Sequence, residues 1–342
     1  MTRLGRTTAL VVALMSTSGS ALAADAALIA AAKKEGEVNW YSTQIISQLV
    51  RPVTVAFEKK YGVKVRATRQ NATEVAVKVI NEGRAGRVQA DVVDGTTTVV
   101  ALKKEGLVLQ WLPDAAQEYP TDVKDPAGYW IANNLFIITP AFNTSLVPRG
   151  TEPKTYADLL NPKWRGKLAW NGFPTSSGMG GFIGTVLTDM GREAGIAYLR
   201  ELGKQNIANL RGSAREVLDQ VIAGEYSVAL QIFNHHAVIS AKKGAPVDWI
   251  KMEPATGTLS VASVVKNSPH PNAAKLLVDF LVSKEGQQVF RDADYVPAHP
   301  DVPALVPTLK PVEGKFGVRF FTPEQTEEHM ADWKKVGDEF FR

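Results

Sequence analysis

VNWYSTQIISQLVRPVTVAFEKKYGVKVRATRQ, residues 38–70, sets two short apolar runs on either side of a longer amphipathic stretch. Val38–Tyr41 reads as a strand, Ile45–Tyr61 as a helix and Val63–Ala67 as a second strand. The pattern continues with a helix over Glu74–Arg84 and a strand over Ala90–Val93. Strands alternating with helices predict a parallel sheet covered by helices, an α/β fold. In such sheets ligands sit beyond the carboxyl ends of the strands, where the strand order reverses.

The junctions between strand and helix therefore carry the functional reading. Four are rich in small polar groups: Tyr41-Ser42-Thr43-Gln44, Asp94-Gly95-Thr96-Thr97-Thr98, Pro174-Thr175-Ser176-Ser177-Gly178 and Asn234-His235-His236. The first three lead into helices, whose free N–H groups and dipole favour an anion. Each Ser or Thr taken alone is equally a helix cap. Four such loops at corresponding strand ends point to a ligand cleft. Arg69, in the loop after the second strand, is the candidate charged clamp, because its fork matches a carboxylate or phosphate. A solvated surface arginine is the alternative.

Outward from this core, the chain begins with Arg3 and Arg6, an apolar run Ala9–Met15 and Ala21-Leu22-Ala23. That is the pattern of a secretory signal over 1–23, cleaved after Ala23. The run is too short for a permanent membrane span. Without Arg3 and Arg6 the chain carries 37 basic against 35 acidic residues, too balanced to imply a nucleic-acid partner. There is no cysteine, which excludes disulfides, thiol chemistry and a lipidated cysteine. A soluble periplasmic monomer is expected. Its length exceeds what one core usually organises, so two lobes are expected. The final stretch, Pro323–Arg342, places Met330, Trp333, Val336, Phe340 and Phe341 at helical spacing and reads as an amphipathic helix docked on a lobe.

Several segments resemble the periplasmic solute-binding proteins of ABC importers, in the ferric-ion-binding subgroup. They are EGEVNWYST (35–43), ADVVDGTTTVVALKKEGLV (90–108), FNTSLVPRGTEPKTYADLLNPKWRGKLAW (142–170) and TGTLSVASVVKNSPHPNAAKLLVDFLVSKEGQQVF (256–290). The resemblance implies a fold like the type II periplasmic binding proteins: two α/β lobes, two crossing strands as hinge, and a ligand between the lobes. The apolar runs Asn134–Ala141 and Thr258–Val265 suit the crossing strands. Lobe one is expected at 24–138 plus 259–300, and lobe two at 139–258 plus 301–342. An inner-membrane ABC permease is the implied partner.

Iron-binding members of that subgroup carry paired tyrosines after the strand that here reads SVALQIF (227–233). Here His235 and His236 follow instead, and neutral imidazoles suit zinc, copper or nickel better than ferric iron. Adjacent positions point apart on a helix, so the pair is also a poor chelate. No cofactor is expected, and metal cargo with a bound anion stays the alternative. If one imidazole is protonated on binding an anion, affinity should fall as pH rises through neutrality. If the pair holds a metal, affinity should fall as pH drops.

Enzymatic chemistry has little support. Ser240-Ala241-Lys242-Lys243 has S-x-x-K spacing without its companion motifs, G-x-S-x-G is missing, and GMGGFIG (178–184) lacks the P-loop lysine. An exported hydrolase is the least favoured reading. The expectation is a binding protein for a small anionic or polyhydroxy solute. Its expected contacts are Tyr41, Ser42, Thr43, Arg69, Asp94, Thr96, Thr175, Ser176, Ser177, His235 and His236.

Overall fold

The computed structural model describes residues 25–172 and 177–341. The expected signal segment, and Thr175 and Ser176, lie outside the described residues. Eleven strands form one continuous network. They are β1 Glu37–Ser42, β2 Lys64–Arg69, β3 Val92–Asp94, β4 Ile131–Asn143, β5 Leu168–Asn171 and β6 Ala208–Leu210. The rest are β7 Val228–Phe233, β8 Val247–Trp249, β9 Ala255–Val264, β10 Val296–Pro297 and β11 Val318–Phe321.

The main path runs β2-β1-β3-β9-β4-β7-β5-β6. Its two flanks are parallel, as the alternation implies: β1 pairs with β2 and β3, and β5 pairs with β6 and β7. The centre departs from that expectation. There β3, β9, β4 and β7 pair antiparallel, because β4 and β9 carry the chain out of one flank and back again. These are the two expected crossing strands, and both are almost wholly buried.

Helices cover the flanks and start where the sequence offers caps. Asn71 and Glu74 close a capping box at the head of helix Ala72–Arg84, and Ser213 and Glu216 do the same for Ala214–Ala223. The stretch expected as one helix from Ile45 opens with a wide turn at Ile46–Val50. It becomes α-helical only from Arg51 to Tyr61, with Pro52 at its start, where the missing N–H has no cost.

Three apolar clusters follow. The first gathers Trp40, Phe57, Val92, Leu259, Phe280 and Phe290 around the β2-β1-β3 flank. The second and third hold Trp170, Phe182 and Trp333, and Leu218 and Ile232, around the β7-β5-β6 flank. Burying one such large side chain is worth about 1.5–3 kcal/mol. The segment after 300 divides between them. Ala304, Leu309 and Phe316 pack into the first cluster, whereas Phe321, Trp333, Val336 and Phe341 pack into the second. The C-terminal helix, Pro323–Phe340, docks through Trp333. A Cβ at Gly184 would lie 2.5 Å from that indole, so only glycine admits the contact. Among the described residues no helix is long and apolar enough to cross a membrane.

Candidate functional site

The topology has two switch points. β1 lies between β2 and β3, so the loops after β1 and β3 are neighbours. β5 lies between β7 and β6, so the loops after β5 and β7 are neighbours in turn. The loops after β1, β3 and β7 singled out in the sequence stand at these two places, and so does Ser177, the part of the third loop that lies among the described residues.

At the first switch point Asp94 is the organiser. It is fully buried. Its Oδ2 accepts from Ser42 Oγ at 2.6 Å and Trp40 Nε1 at 2.8 Å, and its Oδ1 accepts from the Thr43 N–H and Oγ1, both at 2.7 Å. Burial raises the Asp94 carboxyl above its ordinary range, against the opposing pull of these donors. Gly95 has φ of +113°, and a Cβ there would sit 2.8 Å from Thr43 Cγ2, so the turn requires glycine. The hydroxyl protons of Ser42 and Thr43, expected to meet a ligand, thus fasten one loop to the other. Thr96 likewise donates its hydroxyl to the carbonyl of Leu259 on β9.

Tyr41 points to the other side of its strand. Its hydroxyl donates to Glu82 Oε1 at 2.9 Å, and Lys78 Nζ lies 3.9 Å from its ring centroid. Burial, with the Glu82 carboxylate, raises its phenol further. Arg69 is exposed at the end of β2, and among the described residues no carboxylate pairs with it.

Gln44, next to these residues, reaches both crossing strands. Its Nε2 donates to Ser260 Oγ at 2.7 Å and to Asn134 Oδ1 at 3.3 Å.

At the second switch point Ser177 is half-buried in the turn before helix Met179–Asp189. His235 and His236 occupy the first turn of helix Asn234–Lys242, with ring centroids 4.4 Å apart. Among the described residues neither Nδ1 has a hydrogen-bond partner. Burial, aided by the neighbouring ring, pushes His235 down to about 3. Burial, aided by Arg215, pushes His236 down to about 4. Burial thus favours the neutral form of both imidazoles.

A residue that sequence reasoning missed joins the two halves. The Tyr295 ring stacks on His235 with centroids 6.4 Å apart, and the Ile45 backbone lies beside its oxygen. Burial raises its phenol. Nothing local in DADYVPAHP (292–300) signals this, because the contact depends on β10 pairing with β4. Around the same place, buried Asn134 Nδ2, Gln231 Oε1, Asn234 Oδ1 and Thr258 Oγ1 have no partner among the described residues. Buried polar atoms without partners are rare in folded proteins, and a bound solute or water satisfies them.

Two other groupings have structural explanations. In the S-x-x-K stretch Ser240 Oγ accepts from Arg215 Nη1 at 3.0 Å, and Lys243 is exposed. Glu118, His299 and Asp301 converge, but His299 Nδ1 accepts the Asp301 N–H and its Nε2 faces Glu118 at 3.1 Å. Lys284 also pairs with Asp301 at 2.6 Å, so these groups have ion-pair partners within the fold.

Residues 91–313 match the family of bacterial extracellular solute-binding proteins, and the chain belongs to that family. The Fe(3+)-binding periplasmic protein of Serratia marcescens is 22% identical over 71% of this chain and 73% of its own. A putative 2-aminoethylphosphonate-binding periplasmic protein of Salmonella paratyphi A is 26% identical over 74% of this chain and 72% of its own. Iron-bound HitA of Pseudomonas aeruginosa superposes with a TM-score of 0.72 at 22% identity, covering 90% of this chain and 99% of that one. The shared fold is the two-lobed, type II periplasmic-binding architecture.

Proposed function

We propose that this chain is the periplasmic substrate-binding component of an ABC importer. It captures a small anionic or polyhydroxy solute between two lobes and delivers it to an inner-membrane permease. The lobes are 24–138 plus 259–300 and 139–258 plus 301–342, with the stretch to Phe316 packed against lobe one. Rotation about β4 and β9 closes them as rigid bodies. It acts as a monomer and performs no chemical step, in keeping with relatives named as binding proteins.

The observation that carries this reading is the set of unpartnered buried polar atoms where the two switch points meet, on Asn134, Thr258, Gln231, Asn234, His235 and His236. Leaving such atoms unsatisfied costs about 1–3 kcal/mol each, so a pre-formed array favours a ligand that completes it. Native mass spectrometry of the protein released from the periplasm tests the reading. A small molecule held at one-to-one stoichiometry is expected, and a ligand recovered chemically altered would overturn it.

A second reading rests on a different observation. Two imidazoles with unpartnered Nδ1 atoms and ring centroids 4.4 Å apart are donors of the type suited to a metal ion carried as cargo, with an anion completing its shell. Metal analysis of protein purified without added metal separates the two. Stoichiometric metal, with affinity falling as pH drops, favours the cation.

A further inference from the structure

Every residue of β4 is buried except Phe136, and every residue of β7 is buried except Phe233. Those two rings lie together, with centroids 5.1 Å apart. Phe233 is 5.7 Å from the His235 ring and 5.3 Å from the His236 ring, and His235 continues the row to Tyr295. Phe136 shares its strand face with Asn134, two residues earlier, which meets Gln44 from the first switch point. The row therefore runs between the two switch points. Ile45, 47% exposed beside the Tyr295 oxygen, adds an aliphatic wall.

Two otherwise closed strands thus each open at a single position, and each opening is a phenylalanine. An inorganic anion makes no use of adjacent apolar π faces; a flat unsaturated body does. The charges near the row select its sign. Arg69 stands exposed at the end of β2, in register with Ser42 at the first switch point, and has no carboxylate partner among the described residues. The nearby carboxylate, Asp94, is enclosed by four donors of its own loops. Neither imidazole adds a charge.

We propose that the cleft takes an aromatic carboxylate. Its ring lies against Phe136 and Phe233, its edge meets the unpartnered Nδ1 of His235, and its carboxylate is held by Arg69. This rests on the solute-binding reading above and narrows it to one chemical class.

Calorimetry on the intact mature protein with benzoate and with cyclohexanecarboxylate tests it, since the two share charge and size but only benzoate has a π face. Benzoate is expected to bind about tenfold more tightly. Phe233→Leu and Phe136→Leu should each remove most of that preference, read as the ratio of the two affinities. Arg69→Gln should weaken both acids alike. Circular dichroism and thermal melting of each variant confirm that it is folded. Equal binding of the two acids, or a preference untouched by both leucine variants, would overturn the proposal. Binding of ferric citrate or 2-aminoethylphosphonate with none of benzoate would also overturn it, yet leave the solute-binding reading standing. Failure of every probe, with no small molecule carried through purification, would remove both.

Discussion

Gln44 Nε2 lies 2.7 Å from Ser260 Oγ, joining the loop after the first strand to the crossing strand β9 more than two hundred positions away. The same nitrogen also reaches Asn134 Oδ1 on β4. One amide therefore ties a wall of the cleft to both strands on which the lobes turn.

Gln44→Ala should leave Ser260 and Asn134 buried without this donor. The expected loss is about 1–3 kcal/mol in urea unfolding, with the slope unchanged. Gln44→Glu should lose more, because it sets a carboxylate, which cannot donate, into the same buried place. Equal stability of wild type and Gln44→Ala would mean that water replaces the amide.

Asp94 gathers four donors at 2.6–2.8 Å. Asp94→Ala orphans all of them and should cost at least about 3 kcal/mol, since buried networks are penalised when half satisfied. Asp94→Asn turns one acceptor into a donor facing Ser42 and Trp40 or Thr43, and should also destabilise. Chemical denaturation of the three proteins gives the order wild type, Asn, Ala.

The histidines make a pH prediction whose sign follows from burial. Their folded values, about 3 and about 4, lie below the unfolded value near 6.5. Between those limits the unfolded chain binds more protons, so stability is full above about pH 6.5 and falls as pH drops. At pH 5 each histidine should cost about 2 kcal/mol relative to pH 7. Asp279, raised to about 6 by burial, works in the opposite direction over part of the range. The difference between wild type and His235→Gln or His236→Gln isolates the imidazoles. The Tm of each variant should depend less on pH between 7 and 5 than that of wild type. Parallel profiles would show that the rings are not desolvated in solution.

The C-terminal helix should influence lobe position from outside the cleft. It is fixed to the second flank by Trp333 and by the Arg192–Asp332 pair. At its first turn Glu324 Oε1 accepts from Lys103 Nζ at 2.8 Å and Trp130 Nε1 at 3.0 Å, both on the first flank. Lys104 meets Glu327 at 2.5 Å one turn later. Partly exposed ion pairs add at most about 1 kcal/mol, so Glu324→Gln with Glu327→Gln should barely change Tm. The distribution of distances between the lobes should broaden. The chain has no cysteine, so spin labels at Val77→Cys and Leu146→Cys report that distance alone. Identical distributions would show that the contacts do not restrain the lobes.

The sequence by itself determined the elements and their order. Apolar runs such as Val38–Tyr41, the Asn71–Glu74 cap and the periodic Trp333 and Val336 act through neighbours on the same strand or helix, so their spacing suffices to read them. It also placed the polar loops, because a strand followed by a helix must turn where the sheet ends. Tertiary structure alone decided how the loop side chains are used. Ser42 and Thr43 look like donors for a ligand until Asp94 arrives from another strand and accepts from both. Tyr295 looks unremarkable until β10 sets it against His235. The histidines look titratable near neutrality until packing removes their water. Hydrogen-bond satisfaction and desolvation depend on which distant atoms surround a group, and spacing along the chain does not record that.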